Sequence, residues 1–180
     1  MHALFFEMRP KPGHLDHYFA HVARLRPVLA HHTGMLWLDR FRALGDNGLI
    51  LSHQHWADED AIAGWRRDPL HRRSQEAGRR VHFDDYRIRV GPELDGGAGA
   101  GPCVITVLAA GLADLPGARG FESLNHPGRI LTLADASGPE QARALVHRAA
   151  GTPGLRAAHA FAVTRDYGLT DRAAAPAPDA

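Results

Sequence analysis

The sequence has a single cysteine, Cys103, among its 180 residues, which excludes an internal disulfide and a cysteine-based metal cluster. Cys103 begins the apolar run 103–108, where a buried structural thiol is expected rather than a nucleophile. No apolar run approaches the ~18 residues that a membrane-spanning helix needs. Glu7 also interrupts the first apolar stretch, where a secretory signal would continue. We therefore expect a soluble, cytoplasmic protein that does not enter a membrane.

Neither sign of charge predominates, because 21 basic residues face 20 acidic ones and the formal net charge is +1. Such a balance produces no overall field that would attract nucleic acid or an anionic membrane surface. Arginine pairs occur at 66–67, 72–73 and 79–80, but acidic residues are interleaved with them and no aromatic platform accompanies them. We interpret these pairs as a solvated face and expect no nucleic-acid partner.

One segment of the chain occurs twice. Residues 41–52 (FRALGDNGLILS) align without a gap with residues 121–132 (FESLNHPGRILT). The glycine-rich residues between the copies can bury almost nothing, which is typical of a linker. The predicted organisation is a first domain over 1–91, a linker over 92–102, a degenerate second copy over 103–165 and a flexible tail over 166–180.

The first copy predicts the order β-α-β-β-α-β. Strands are expected over 3–8, 35–41, 49–56 and 83–90, and helices over 14–30, over 58–65 and from Pro69 onward. This order is the split unit of a ferredoxin-like fold. In the second copy, only about nine residues separate the first two strands. That copy is therefore predicted to have lost its first helix.

A sheet with helices on one face must bury its other face, and the sheet of the second copy is the expected cover. The predicted fold class is α+β: tandem ferredoxin-like (β-α-β-β-α-β) domains whose sheets pack as a pseudo-dimeric α+β barrel. Leu36 is predicted to face the helices of the first copy. The opposite face carries these polar residues: Glu7, Asp39, His53, His55, Arg87 and Arg89. They predict either a satisfied network of ion pairs and hydrogen bonds or a polar pocket inside the barrel.

Histidines occur at two spacings that suit metal ligands. His53 and His55 lie on one strand face, but no carboxylate or third histidine completes a set at a suitable spacing. His17 and His21 are one helical turn apart on a polar face and are interpreted as solvated surface. We expect no metal.

The stretch from Trp56 to Arg79 is the richest in functional side chains. On the helix after Pro69, His71 and Gln75 follow one stripe, and the tryptophans Trp56 and Trp65 precede it. These residues could line a cleft for a flat aromatic molecule, with His71 as the proton acceptor. The alternative is that both tryptophans belong to the core and that His71 only packs between helices.

These residues lie in a half that resembles the antibiotic biosynthesis monooxygenase family, whose members are small dimeric α+β barrel proteins. The resemblance covers residues 3–90 and rests on the segments 34–44, 51–59 and 83–90 with Trp65, His71 and Gln75. In single-domain relatives a tail similar to residues 165–176 directly follows the last strand. Here the second copy precedes that tail.

The resemblance implies oxidation of a phenolic or anthrone-like aromatic small molecule, with O2 as co-substrate and with no metal or flavin. The residues it implicates in catalysis are His71, Trp65 and Tyr86, and those implicated in substrate binding are Trp56, Gln75, Arg79 and Ser52. Trp65 corresponds to the family's pocket tryptophan. The two copies would form a pseudo-dimer within one chain, and a homodimer of chains stays open.

Three alternatives to this function stay open. A heme-degrading branch shares the fold and has an axial histidine at the position of Gln75, so heme binding here would require His71 to substitute. A non-catalytic domain for small-molecule binding or assembly is the second alternative. A metal-dependent enzyme that uses His53 is the third.

Overall fold

The computed structural model describes residues 1–94 and 100–177. The elements are β1 (His2–Pro10), α1 (Leu15–Ala30), β2 (Met35–Ala43), β3 (Asp46–Trp56), α2 (Glu59–Arg67), α3 (Pro69–Ala77), a π-helical turn (Gly78–His82), β4 (Phe83–Pro92), β5 (Cys103–Ala109), β6 (Arg119–Ser123), β7 (Ile130–Ala136), α4 (Pro139–Ala149), β8 (Ala157–Ala162) and β9 (Arg165–Gly168). None of the helices within the described residues is long and apolar enough to cross a membrane.

Aspartates fix the starts of the two helices that follow β3. The Asp58 carboxylate accepts a hydrogen bond from the Ala61 backbone N–H at 2.8 Å, which begins α2. The Asp68 carboxylate accepts from the N–H groups of Leu70 and His71, both at 2.9 Å, and begins α3. These bonds satisfy amide groups that the helices leave without internal partners. The chain reverses between α2 and α3 at Asp68, and this reversal sets where His71 lies.

The strands form one curled sheet of nine strands in the order β8-β5-β7-β6-β2-β3-β1-β4-β9. Its two halves, β2-β3-β1-β4 and β6-β7-β5-β8, repeat the same ferredoxin-like order. The described residues between β5 and β6 form no helix, so the predicted loss of the first helix from the second copy is confirmed. The predicted pair of ferredoxin-like units is also confirmed.

The halves join at two seams. At the first, β2 pairs with β6 so that Phe41 lies opposite Ser123, Arg42 opposite Glu122 and Ala43 opposite Phe121. Because the sequence repeat aligns Phe41 with Phe121 and Arg42 with Glu122, this pairing is a local two-fold, as in an isologous dimer.

The second seam lies at the far edge of β4. Glu93 forms a bridge to Phe161, and the chain then continues past β8 as β9, which pairs with β4 from Arg87 to Val90. The barrel is thereby closed within one chain.

The barrel interior contains an apolar core to which both halves contribute. Its buried members are Ala3, Phe5, Phe41, Ala43, Leu51, Val104, Phe121, Leu131, Leu133 and Phe161. Burying an aromatic or aliphatic side chain of this size stabilises a fold by about 1.5–3 kcal/mol. Further cores lie between the sheet and the helices, one around Met8 and Tyr86 and another around Trp56 and Trp65. The sheets therefore bury the faces opposite to their helices against each other, as predicted.

Glu7, Asp39 and Arg89 form ion pairs and hydrogen bonds, as one of the two interpretations expected, whereas Arg87 pairs with Asp166 and His53 contacts His55. Glu7 is buried and lies 2.6 Å from Arg89. The partners from the second copy could not be predicted: Arg119 contacts Glu7, and Asp135 contacts Arg89. Asp39 likewise accepts hydrogen bonds from Ser123 at 2.9 Å, Asn125 at 2.8 Å and Arg129 at 3.2 Å. These ion pairs and hydrogen bonds connect the two halves.

Three local expectations are corrected. Leu36 is 58% exposed, because the β2–β3 register shifts between Met35 and Trp37 and turns it away from the helices. His17 and His21 are not simply solvated: His17 stacks on His82, and His21 bonds to Ser74 at 3.1 Å where α1 meets α3.

The expected flexible tail also differs, because residues 166–168 belong to β9 and pair with β4. Of the predicted linker, Pro92 ends β4 and residues 95–99 lie outside the described residues, as do 178–180 of the tail.

Candidate active site

A cavity of about 630 Å³ lies between the helix-bearing face of the first sheet, the helices α1 and α3, and the segment after β9. Apolar side chains, among them Phe6, Val22, Leu25, Phe83 and Ile88, form part of its lining. Its size and its mixture of apolar and polar walls are typical of small-molecule sites. The second copy lacks the helix that corresponds to α1, so it cannot build the same walls.

His71 lines the cavity and is held in a defined state. Its ring stacks on Trp65, with centroids 4.2 Å apart and planes 15° apart, and its Nδ1 lies 2.9 Å from the Trp65 carbonyl oxygen. A carbonyl only accepts, so Nδ1 carries the proton and Nε2 keeps its lone pair. Burial lowers the pKa of His71 to about 4, although the hydrogen bond to Trp65 opposes this. At neutral pH the ring is an uncharged proton acceptor.

Trp65 lies behind His71 rather than on the cavity wall. It is 5% exposed and packs with Trp56, Ile62 and Val90. His32 meets its ring edge-on at a centroid distance of 5.4 Å. Trp65 can therefore orient His71, but the described structure gives it no direct place beside a substrate.

Tyr86 lines the cavity opposite α3, and a residue from the C-terminal segment contacts it. Arg172 Nη1 donates a hydrogen bond to the Tyr86 hydroxyl oxygen at 2.6 Å. The Arg172 guanidinium carbon also lies 5.8 Å from the centre of the Tyr167 ring. Tyr167 and Arg172 both line the cavity. The sequence offered one signal for them, because the segment 165–176 resembles the tail of single-domain relatives.

Gln75 and Arg79 line the cavity as predicted, on α3 and on the π-helical turn that follows it. Gly78 is buried at the start of that turn, and a Cβ at this position would lie 2.5 Å from the Phe83 ring. A π-helical turn changes the direction of successive side chains and is frequent at functional sites. Here the turn places both Arg79 and His82 on the cavity.

Trp56 and Ser52 do not reach the cavity, which corrects their predicted role. Trp56 is fully buried, and its indole N–H donates to Gln54 at 3.0 Å; the amide of Gln54 in turn donates to Ser52 at 3.2 Å. These side chains form a polar chain beneath the helices. Sequence alone could not show that Trp56 and Trp65 both belong to the core, because core and cavity side chains alike lie on the helix-facing side of the sheet.

The histidines of the barrel interior form a separate cluster. His53 and His55 approach each other at 3.1 Å, and His159 of the second copy lies 2.6 Å from Glu93. Burial lowers the pKa of His53 well below its ordinary value and that of His55 to about 4. Within the described ranges no group of three or more ligating side chains could hold a metal.

The donor set fits heme poorly. Gln75 occupies the position of the axial histidine, and an amide is a much weaker ligand for iron than imidazole. His71, the substitute, has its ring flat against Trp65. We therefore derive no chemistry through heme.

Comparisons with known proteins found similar sequences for the first half of the chain. The family model described as antibiotic biosynthesis monooxygenase matches residues 1–77. A jasmonate monooxygenase of Pyricularia oryzae is 40% identical over 91 residues, which cover 51% of this chain and 42% of that protein. An uncharacterized protein of Bacillus subtilis is 31% identical over 67 residues, 37% of this chain and 57% of that protein. The chain thus spans about half the length of the curated relatives it matches.

A solved structure described as an anthrone oxidase-like protein is 11% identical, with a TM-score of 0.41, and the match covers 98% of this chain and 96% of that one. The family match covers β1 to α3 and so includes Trp65, His71 and Gln75. Residues 1–77 of this chain are thus similar to the antibiotic biosynthesis monooxygenase family.

Proposed function

We propose that the chain is a cofactor-independent monooxygenase that oxidises a phenolic or anthrone-like aromatic small molecule with O2 in the cavity of the first half. The observation that carries this proposal is the state of His71, whose Nδ1–H is committed to the Trp65 carbonyl oxygen at 2.9 Å. The free Nε2 is then a proton acceptor beside an apolar wall. The jasmonate monooxygenase relative supports oxygenation of a small molecule, and the choice of an aromatic substrate is our own.

The proposed reaction begins when His71 removes a proton from the substrate. An imidazole with a pKa of about 4 removes a proton from a phenol with a pKa of about 10 at a cost of about 8 kcal/mol, unless the anion is stabilised. Gln75 and Arg79 both line the cavity and supply donors for the developing oxyanion. We assign them this role.

The anion then passes one electron to O2, and the resulting substrate radical and superoxide combine to a peroxide anion. Return of the proton held by His71 gives the hydroperoxide. Loss of water leaves a carbonyl where the substrate carried a CH2 group. One oxygen atom enters the product and the other leaves as water. The substrate supplies all four electrons that reduce O2 to the carbonyl oxygen and water, so no external reductant is required. The chain's residues bind the substrate, hold its proton and stabilise its charge.

Oxygen uptake with a panel of anthrones and hydroquinones tests the proposal. We expect His71→Ala to lower the rate by about 10²–10⁴-fold, the usual contribution of a general base. Trp65→Phe keeps the stacking surface and should lower the rate less. His126 is exposed on the second copy, so His126→Ala is the matched control and should leave the rate unchanged.

Each other outcome points to a different function. Uptake at the wild-type rate in His71→Ala would refute the role of His71. Binding of aromatic ligands without oxygen uptake would indicate a non-catalytic binding domain. A Soret band on titration with hemin, lost in His71→Ala, would instead favour heme.

A further inference from the structure

The charged side chains around the cavity are nearly all cationic. The arginines that line it are Arg66, Arg67, Arg72, Arg73, Arg79 and Arg172. Glu76 is the one carboxylate among the described lining residues, and it pairs with Arg80 at 2.9 Å. A cavity lined by cationic and apolar side chains attracts molecules that carry both an anionic group and an apolar part. The chain as a whole has a formal charge of only +1, so this excess is local.

Arg172 is held in position by contacts on two sides. Its Nη1 donates to the Tyr86 hydroxyl oxygen at 2.6 Å, and its guanidinium lies 5.8 Å from the centre of the Tyr167 ring. Tyr167 belongs to β9 and lies opposite Ile88 in the β4–β9 ladder. The sheet therefore holds the base of this segment against the cavity.

No carboxylate in the described part of the chain pairs with Arg172. Within residues 1–94 and 100–177 it forms no ion pair, and its contacts are those with the two tyrosines. A guanidinium has five N–H donors, of which the bond to Tyr86 uses one. Because the Tyr86 oxygen accepts that bond, its own O–H proton remains available to a ligand. The pair thus offers a planar fork and a hydroxyl donor side by side.

We propose that the substrate carries a carboxylate, and that Arg172 and Tyr86 bind this group in the cavity. A carboxylate has two oxygens in one plane and matches the fork of a guanidinium. The apolar part of the same molecule then lies along Phe6 and Ile88, toward His71. This inference rests on the proposed function in that it takes the same cavity as the substrate site. It makes Arg172 and Tyr86 specificity-determining residues.

The test compares two probes that differ in one group, 2-naphthoate and its neutral amide, 2-naphthamide. Binding is measured by isothermal titration calorimetry. We expect wild type to bind 2-naphthoate about tenfold more tightly, the effect of one charge-assisted hydrogen bond partly screened by solvent. Arg172→Gln should remove this preference and leave the affinity for 2-naphthamide within about twofold of wild type. Arg172→Lys keeps the charge but loses the fork, and should fall between them.

Arg156→Gln is the matched control, because Arg156 is exposed at the end of the second copy and does not line the cavity. It removes the same charge and should keep the preference. Added salt should weaken binding of 2-naphthoate while leaving that of 2-naphthamide unchanged.

Two outcomes would overturn the inference: wild type that fails to bind 2-naphthoate more tightly than the amide, or a preference that survives in Arg172→Gln. Neither readout depends on turnover. A carboxylate preference without oxygen uptake on any substrate would refute the proposed function and leave the inference standing. Oxygen uptake with neutral phenols and no preference would do the reverse.

Discussion

Replacing Arg89 with glutamine tests whether the buried charges hold the two halves together. The Arg89 and Glu7 side chains are 2% and 7% exposed and lie 2.6 Å apart, while Asp135 of the second copy contacts the same guanidinium. Removing one partner of a buried pair costs about 3–5 kcal/mol, because the remaining charge is left in a poor environment. Arg119 still contacts Glu7. We therefore expect a loss near the lower end, about 3 kcal/mol.

The same strand supplies the matched control. Arg87 pairs with Asp166 at 2.5 Å, but these side chains are 48% and 39% exposed. Solvent-exposed pairs contribute about 0–1 kcal/mol, so Arg87→Gln should cost far less than Arg89→Gln. Both substitutions remove one positive charge and differ in burial.

Equilibrium unfolding in urea measures both variants, followed by circular dichroism and by tryptophan fluorescence. In wild type we expect the two signals to change together, because the shared core makes the halves one cooperative unit. In Arg89→Gln the free energy of unfolding should fall by about 3 kcal/mol. If the two variants lost the same free energy within error, the assignment of this network to the contact between the halves would be wrong.

Two further perturbations address the second seam and the barrel interior. Gly91→Ala should prevent closure of the barrel and yield little folded protein, because a Cβ there would lie 1.5 Å from the Ala162 carbonyl oxygen. Gly111→Ala is the control and should fold normally, because the space around its Cβ is open. Equal yields of folded protein from the two variants would contradict the close contact at the second seam. Burial and the nearby charge of His159 lower the pKa of His55 from 6.5 to about 4. Between these pH values the unfolded chain binds more protons than the folded one, so the free energy of unfolding should fall as pH drops from about 6.5 toward about 4. His55→Gln should make this dependence on pH weaker, as measured by urea unfolding across that range. Parallel slopes in the two proteins would count against a buried, neutral His55.

The sequence predicted the fold well because the periodic signals agreed with the repeat. The alignment of residues 41–52 with residues 121–132 predicted two similar units, and the short spacing after β5 predicted the missing helix. His71 lines the cavity, and its stacking on Trp65 also agrees with the alternative of a histidine that packs between helices. These features depend on local pattern and spacing, which a single sequence contains.

What the sequence could not give depends on long-range contacts. The sequence pattern does not distinguish Trp56 from Trp65. Their contacts do, because Trp56 bonds to Gln54 and Trp65 stacks on His71. Arg172 is far from the cavity along the chain and reaches it because β9 pairs with β4. No periodicity encodes such an approach, so the segment looked like a free tail.

The two seams have a consequence for how this barrel behaves on dilution. In an assembly of separate subunits, a symmetric contact such as β2–β6 dissociates as the protein concentration falls. Here β2 and β6 belong to one polypeptide. Each strand is therefore present to the other at an effective concentration on the order of millimolar, independent of the protein concentration in solution. Titrations at very low protein concentration should therefore report ligand affinity alone, with one equivalent bound per chain.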